Sequence, residues 1–271
     1  MPISETLCPA RALTGGARQH FFGYYDKTPW DASGRYTLAL SVDFIGRPPE
    51  PDDTALIGLV DVATGRLEPV AETRAWNWQQ GTMLHWLPTA PDREIIFNDR
   101  VDGQLVSVIL DVHSGQRRTL PAPIYAISHD GGLAITPNFA RLARQRPGYG
   151  YAGVADPWEG VDEPEDDGIY LMNLTTGERR LALSIRQVAQ VKRRPSMDGV
   201  VHWLNHLQFS PDDGRFVFLH RWRRSGGAWY TQMLTAAPEG ADLRCVADDE
   251  MVSHFDWRDP THLLAWARQP V

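Results

Sequence analysis

Three stretches decide the fold: IGLVDVATGRLEPV (Ile57–Val70), SVILDVHSGQRRTL (Ser107–Leu120) and IYLMNLTTGERRLAL (Ile169–Leu183). Each runs an apolar, β-prone strand into an Asp or Asn, then Thr or Ser followed by Gly, then a second strand. Asx side chains hydrogen-bond backbone two residues on, and glycine accepts the positive φ such turns need. Each stretch therefore reads as a β-hairpin. A second pattern alternates with it in WDASGRYTLAL (Trp30–Leu40), APDREIIFND (Ala90–Asp99), SHDGGLAITP (Ser128–Pro137), SPDDGRFVFLH (Ser210–His220) and WRDPTHLLAWA (Trp257–Ala267). There a turn leads into an apolar strand.

Two alternating hairpins recurring at roughly 40–60 residues match the blades of a β-propeller, each a four-stranded sheet. The expected fold is all-β, in one domain spanning 1–271, with blades at about 20–70, 80–120, 123–185 and 200–247. A fifth starts at Met251 and halts after about two strands. Either the amino-terminal segment finishes that blade or the ring is incomplete. Because the strand pattern stops without a capping element, the expectation is an incomplete ring of about four and a half blades, cut from a larger propeller, with apolar faces left open.

Composition agrees with a folded β-rich chain. Its 271 residues are 42% hydrophobic, and 20 prolines with 10 tryptophans in short apolar runs argue against long helices. A net charge of −7 gives no general pull toward nucleic acid or an anionic membrane, so a polyanionic partner would need a local basic patch. Cys8 and Cys245 lie far apart in no metal-ligand spacing, which argues against a disulfide framework. No basic segment followed by an apolar one opens the chain, and no apolar run reaches membrane-spanning length. The default expectation is a cytoplasmic protein, although a secreted chain without its signal would look the same. Two segments interrupt the blades. Ala140–Gly168 is a long insertion rich in Gly, Pro, aromatics and charge, and Ser184–Gly199 has a basic middle readable as a short helix or a solvated connector.

Propellers point the first strand of every blade at a central channel, so polar residues at those strand starts converge. The candidates are His20, Tyr24, Tyr25 and Asp26, then His85, Tyr125, His202, His206 and His254. Any one of them reads equally as an amphipathic ring packed between blades with its polar tip satisfied. HFFGYYDKTPWD (His20–Asp31) reads mostly as an inner strand packing its rings, with Tyr24, Tyr25 and Asp26 near the channel as a sugar-stacking platform. His202 and His206, four apart, would share a face of a regular strand. With His220 and His254 they form a candidate metal set, suited to zinc or manganese, and equally readable as structural histidines.

HFFGYYDKTPWD, HLQFSPDDGRFVF (His206–Phe218) and the repeated Asp-x-x-Thr/Ser-Gly turns resemble the propeller polysaccharide lyases, the group of oligogalacturonate and ulvan lyases. The turn motifs also occur in TolB-like and other WD40-like propellers. The lyase resemblance implies β-elimination on uronic-acid polymers by histidine, tyrosine and arginine, with a divalent metal in some members and no organic cofactor. A base removes the C5 proton, a cation neutralises the neighbouring carboxylate, and an acid protonates the departing O4. His85, Tyr125 and Arg141 are the candidate catalytic residues; Tyr24, Tyr25, Asp26, Asn98 and Arg100 are candidates for substrate binding. The expected partner is an acidic oligosaccharide or polysaccharide, with neither nucleic acid nor membrane. The competing reading is a non-catalytic propeller that binds glycan or protein. A serine hydrolase lacks its Gly-x-Ser-x-Gly elbow here.

Overall fold

The Asx turns form as their chemistry requires. In the computed structural model, which describes residues 10–224 and 226–268, Asp61 Oδ1 accepts the amides of Ala63 and Thr64. Asp111 does the same for His113 and Ser114, and Asn173 for Thr175 and Thr176. Gly65, Gly115 and Gly177 close these turns at φ of 71°, 73° and 76°, a region that side chains with a Cβ avoid. The second hairpin uses serine. Ser128 Oγ donates to Asp130 and accepts Leu133 N, and Ser210 Oγ donates to Asp212 and accepts Arg215 N. In the first blade Asp31 takes over, accepting from Ser33 Oγ and Tyr36 N.

These turns fold four antiparallel sheets of four strands each, arranged in a ring. The first holds β1 (Gln19–Phe21), β2 (Tyr36–Val42), β3 (Ala55–Asp61) and β4 (Leu67–Thr73); the second holds β5 (His85–Trp86), β6 (Glu94–Val101), β7 (Gln104–Asp111) and β8 (Arg117–Leu120). The third holds β9 (Ala126–Ile127), β10 (Leu133–Thr136), β11 (Gly168–Asn173) and β12 (Arg179–Ser184); the fourth holds β13 (His202–Phe209), β14 (Phe216–Arg223), β15 (Trp229–Ala236) and β16 (Arg244–Ala247). The expected all-β propeller of four-stranded blades is observed. A two-stranded sheet, β17 (Val252–Asp259) and β18 (His262–Ala267), follows.

The core lies between blades. Leu38, Leu40 and Ile57 of the first sheet meet Ile95, Phe97 and Val108 of the second. Ile96 and Ile109, on the other face of that second sheet, join Ile135, Ile169, Phe216 and Phe218 in the largest cluster. Alternation along a strand, period two, supplies both faces, so central strands such as β2 and β14 are buried on each side. Val252 and Phe255 of β17 pack on Val217, Leu219 and Met233 of the fourth blade. The outer face of β18 leaves Leu264 and Trp266 largely exposed. Inside the ring, Tyr25 Oη donates to Phe255 O at 2.9 Å and accepts Phe255 N at 3.1 Å, tying the first blade to the last sheet.

The insertion of the third blade begins as helix α1 (Phe139–Gln145), capped by Asn138 Oδ1 accepting Arg141 N. Asn138 Nδ2 donates to both Asp156 and Asp167 at 3.0 Å, which pins the returning loop. The basic segment contains helix α2 (Ile185–Ala189), with a reciprocal Ser184–Gln187 capping box, and a short 3-10 turn at Pro195–Met197. Cys245 is a half-buried free thiol, and Cys8 lies outside the described residues.

Burial pushes the Asp167 carboxyl up to about 6 from an ordinary 3.8. Between those values the folded protein binds more protons than the unfolded chain, so this group's stabilisation is fully present below about pH 4 and is lost as pH rises through 6. Asp167→Asn should therefore unfold at higher urea than the parent at pH 7.5, by roughly 1–3 kcal/mol, with the gap vanishing near pH 4. Urea titrations at the two pH values check this.

Candidate functional site

The inner segments of the blades run from one mouth of the axial channel to the other. In the first blade this segment starts at Gln19, opposite Val42, and ends at Trp30, opposite Thr37. Two cavities lie along it. One, of about 640 Å³ including space open to solvent, is walled by Tyr24, Arg146, Tyr149, His206, Arg221 and Trp229. It gathers residues from the starts of inner strands and from interblade loops, whereas the second, described further below, gathers residues from the strand ends.

His206 reaches the first cavity through a β-bulge. Pairing of β13 with β14 shifts register between Asn205 and Gln208, and His206 sits at φ 55°. The bulge breaks the two-residue alternation, so His206 does not share a face with His202. Its ring stacks on Tyr24 at 5.2 Å between centroids and meets Tyr149 edge-on at 5.4 Å. Tyr125 Oη lies 3.4 Å from His206 Nδ1, and Gln80 Nε2 donates to the same hydroxyl. Burial holds the His206 pKa well below its ordinary value, helped by the charges of Arg221, Arg146 and Lys27, so the ring is neutral at pH 7. Burial likewise raises Tyr24 and Tyr125, which stay protonated.

Arg221 decides the electrostatics. It stands on β14 opposite Trp203, only 4% exposed, and its Nε and Nη1 have no hydrogen-bond partner. Desolvation first, then the neighbouring Arg146, lowers its pKa to about 10, which leaves it cationic at pH 7. The Arg146 guanidinium stacks on Tyr149 at 4.5 Å and on Trp229 at 4.6 Å, and its Nε is also without a partner. Neither arginine forms an ion pair with a carboxylate among the described residues. Glu250 also lines this cavity, but its carboxylate pairs with Arg194 at 3.2 Å, so in a chain of net charge −7 two adjacent cations with no ion-pair partner of their own mark a place for an anion.

The other sequence candidates go elsewhere. Arg141 is spent on carbonyls: Nε donates to His202 O at 2.6 Å, and Nη2 to Val161 O and Asp162 O at 2.9 and 2.8 Å. Arg100 likewise holds the carbonyls of Gly153 and Pro51. Asn98 is buried and staples the second blade to the third, giving Nδ2 to Ile124 O and Tyr151 Oη while Oδ1 accepts Ile124 N. None of these three lines either axial cavity. Tyr25 closes the ring, and Asp26 pairs with Lys27 at 2.8 Å. His20 bonds Thr14. His85 faces the second cavity, and Tyr125 stands in the wall between the two.

The four candidate metal ligands are not brought together. His202 Nδ1 and His220 Nε2 are 2.8 Å apart in the core of the fourth blade, where His202 Nε2 donates to Met197 O and Gln232 faces His220 Nδ1. His206 and His254 line the first cavity instead. Among the described residues no group of three or more His, Cys, Asp or Glu is placed to hold a metal ion. The bulge is the physical reason. Arg146, Tyr149, Arg221 and Gln80 were not singled out from sequence. For Arg221 the available signal was an arginine inside the apolar run FVFLHRW, where both faces of a strand are buried.

No protein-family model matches the chain, and no curated protein matches it. Solved structures similar in fold include TolB from Acinetobacter baumannii, with 11% identity and a TM-score of 0.48 over 87% of this chain and 45% of that one. A putative TolB from Agrobacterium tumefaciens is 14% identical with a TM-score of 0.37, covering 87% and 83%. Endo-arabinase from Bacteroides thetaiotaomicron is 11% identical at 0.39, covering 90% and 94%. The chain spans less than half the length of the Acinetobacter TolB. These likenesses concern the propeller scaffold, and the lyase resemblance stands on its sequence motifs alone. Among the described residues, no helix is long and apolar enough to cross a membrane.

A buried cation without a partner costs stability in the unliganded protein. Arg221→Met keeps the stem volume and deletes the charge, so the empty variant should melt a few degrees above the parent, within the usual 2–4 °C per kcal/mol for a chain of this size. A lower melting temperature by calorimetry would mean that Arg221 serves the fold.

Proposed function

We propose that this propeller recognises an acidic saccharide, with the carboxylate of a uronate seated against Arg221 and Arg146. The supporting observation is the buried, partnerless Arg221 guanidinium at the wall of the axial cavity. Tyr24, Tyr149 and Trp229 add aromatic faces suited to the C–H faces of a pyranose. An elongated acidic chain entering from this mouth would meet donors on every side.

The stack of Tyr24 on neutral His206 beside that cation favours a second, chemical reading, β-elimination. With the carboxylate held by Arg221, the C5 proton becomes more acidic and passes to His206. The C5–H electrons form the C4–C5 double bond as the C4–O4 bond breaks, and a protonated tyrosine, Tyr24, delivers its proton to O4. Burial raises the Tyr24 pKa and the positive field of Arg221 offsets only part of that rise, so the hydroxyl enters the reaction protonated. This assigns the base and the cation to His206 and Arg221, in place of His85 and Arg141.

Calorimetry with galacturonate trimers should give binding that weakens with salt, is absent for neutral galactose oligomers and falls about 10- to 100-fold in Arg221→Met. If elimination occurs, ultraviolet absorbance of the unsaturated product should appear with polygalacturonate or ulvan and drop at least about a hundredfold in His206→Gln. Binding without absorbance on any uronate would retain recognition and remove the lyase reading.

A further inference from the structure

The second axial cavity, of about 650 Å³ including open space, lies at the opposite mouth and is lined by Asp26, Lys27, His85, Trp86, Gln208 and Phe209, among others. Its polar groups are unusually idle. Asp26 Oδ1, His85 Nε2 and Gln208 Oε1 are all buried with no hydrogen-bond partner, although each belongs to a residue on the cavity wall. Buried polar atoms are nearly always bonded, so three in one wall ask for a ligand that supplies donors.

The charges define what kind of donor. Asp26 Oδ2 is held by the nearly buried Lys27 ammonium at 2.8 Å. Asp256 accepts from Gln208 Nε2, and Asp213 is taken up by His129 across the rim. Every acid facing the cavity from the neighbouring elements is thus already partnered. A cation would have to displace Lys27 from Asp26, and an anion would meet the Asp26 carboxylate. Lys27 carries three N–H donors and gives one to Asp26, so the wall offers three free acceptors beside spare donors. The His85 ring is neutral because burial and Lys27 hold its pKa far down, and its Nε2 has no hydrogen-bond partner. Adjacent hydroxyl groups, each able to donate and accept, match that pattern, while Trp86 and Phe209 provide apolar wall.

We propose that this mouth is a separate binding site for a neutral polyhydroxyl ligand of the monosaccharide or polyol class, held by Asp26, Lys27, His85 and Gln208. It requires nothing of the acidic site across the Tyr125 wall. The test follows the His85 ring resonances by ¹H–¹⁵N NMR while D-galactose, D-glucose and myo-inositol are titrated separately into the parent protein and into Arg221→Met. The expected result is a saturable shift of His85 with at least one neutral probe, unchanged in Arg221→Met, and an affinity weakened about tenfold or more in His85→Leu when followed there by the indole N–H resonance of Trp86 on the same wall, the scale of one lost buried hydrogen bond. Shifts produced by galacturonate or by an organic cation such as choline but by no neutral probe would overturn the proposal. So would an unmoved His85 in folded parent protein at tens of millimolar of all three sugars, a measurement that stands even if His85→Leu fails to fold.

Discussion

Everything in this molecule depends on how its hairpins are turned. Asp61, Asp111 and Asn173 each spend a side-chain oxygen on two consecutive backbone amides, and a glycine at positive φ follows. That chemistry sets the length of the connection, and the length sets strand register. A slip of one residue would turn Ile57 and Leu59 from the interblade core toward the opposite face. Because the same device recurs in successive blades, their sheets share one geometry and can stack face to face around an axis.

This is also why the architecture was legible in the amino-acid sequence and the site was only partly so. Turn chemistry is local: an Asp, a hydroxyl and a Gly within five residues suffice, and the propeller class followed from them. Channel-lining residues depend on strand parity, which a bulge resets. The spacing of His202 and His206 implied a shared face, yet the irregular pairing after Asn205 sends one into the blade core and the other toward Tyr24. Arginine roles are still less local. Arg141 and Arg221 differ in whether carbonyl oxygens surround the guanidinium, and those carbonyls come from residues tens of positions away. Tyr24, Tyr125, His206 and Asp26 were found because they stand near strand starts, the part of a blade that always faces the axis.

The two axial cavities divide polar labour along the channel. One wall concentrates two arginines that have no ion-pair partner, its carboxylate Glu250 being taken up by Arg194, and the other cancels its charges in pairs and leaves acceptors free. Between them stands Tyr125, fully buried, with Gln80 and His206 at its hydroxyl. Such idle polar groups disfavour the folded state taken alone, since each forfeits hydration without regaining a bond. Their cost is carried by the apolar clusters between blades, which reach the axis through Tyr125, Trp86 and Phe209.

The bond pair between Tyr25 and the backbone of Phe255 spans 230 positions of chain. Turns such as Asp61–Gly65 can form within microseconds from neighbouring residues, whereas bringing Tyr25 to Phe255 in a disordered chain carries a loop entropy roughly 3 kcal/mol greater than closing a five-residue turn. That penalty shrinks as intervening blades stack, since each ordered blade shortens the flexible path. Assembly by this route proceeds outward from adjacent blades and reaches the tyrosine last. A chain stalled before that step would hold well-formed sheets around an open axis, with Tyr24, His206 and their cavity not yet assembled, so the polar lining would be the final part of the protein to become native.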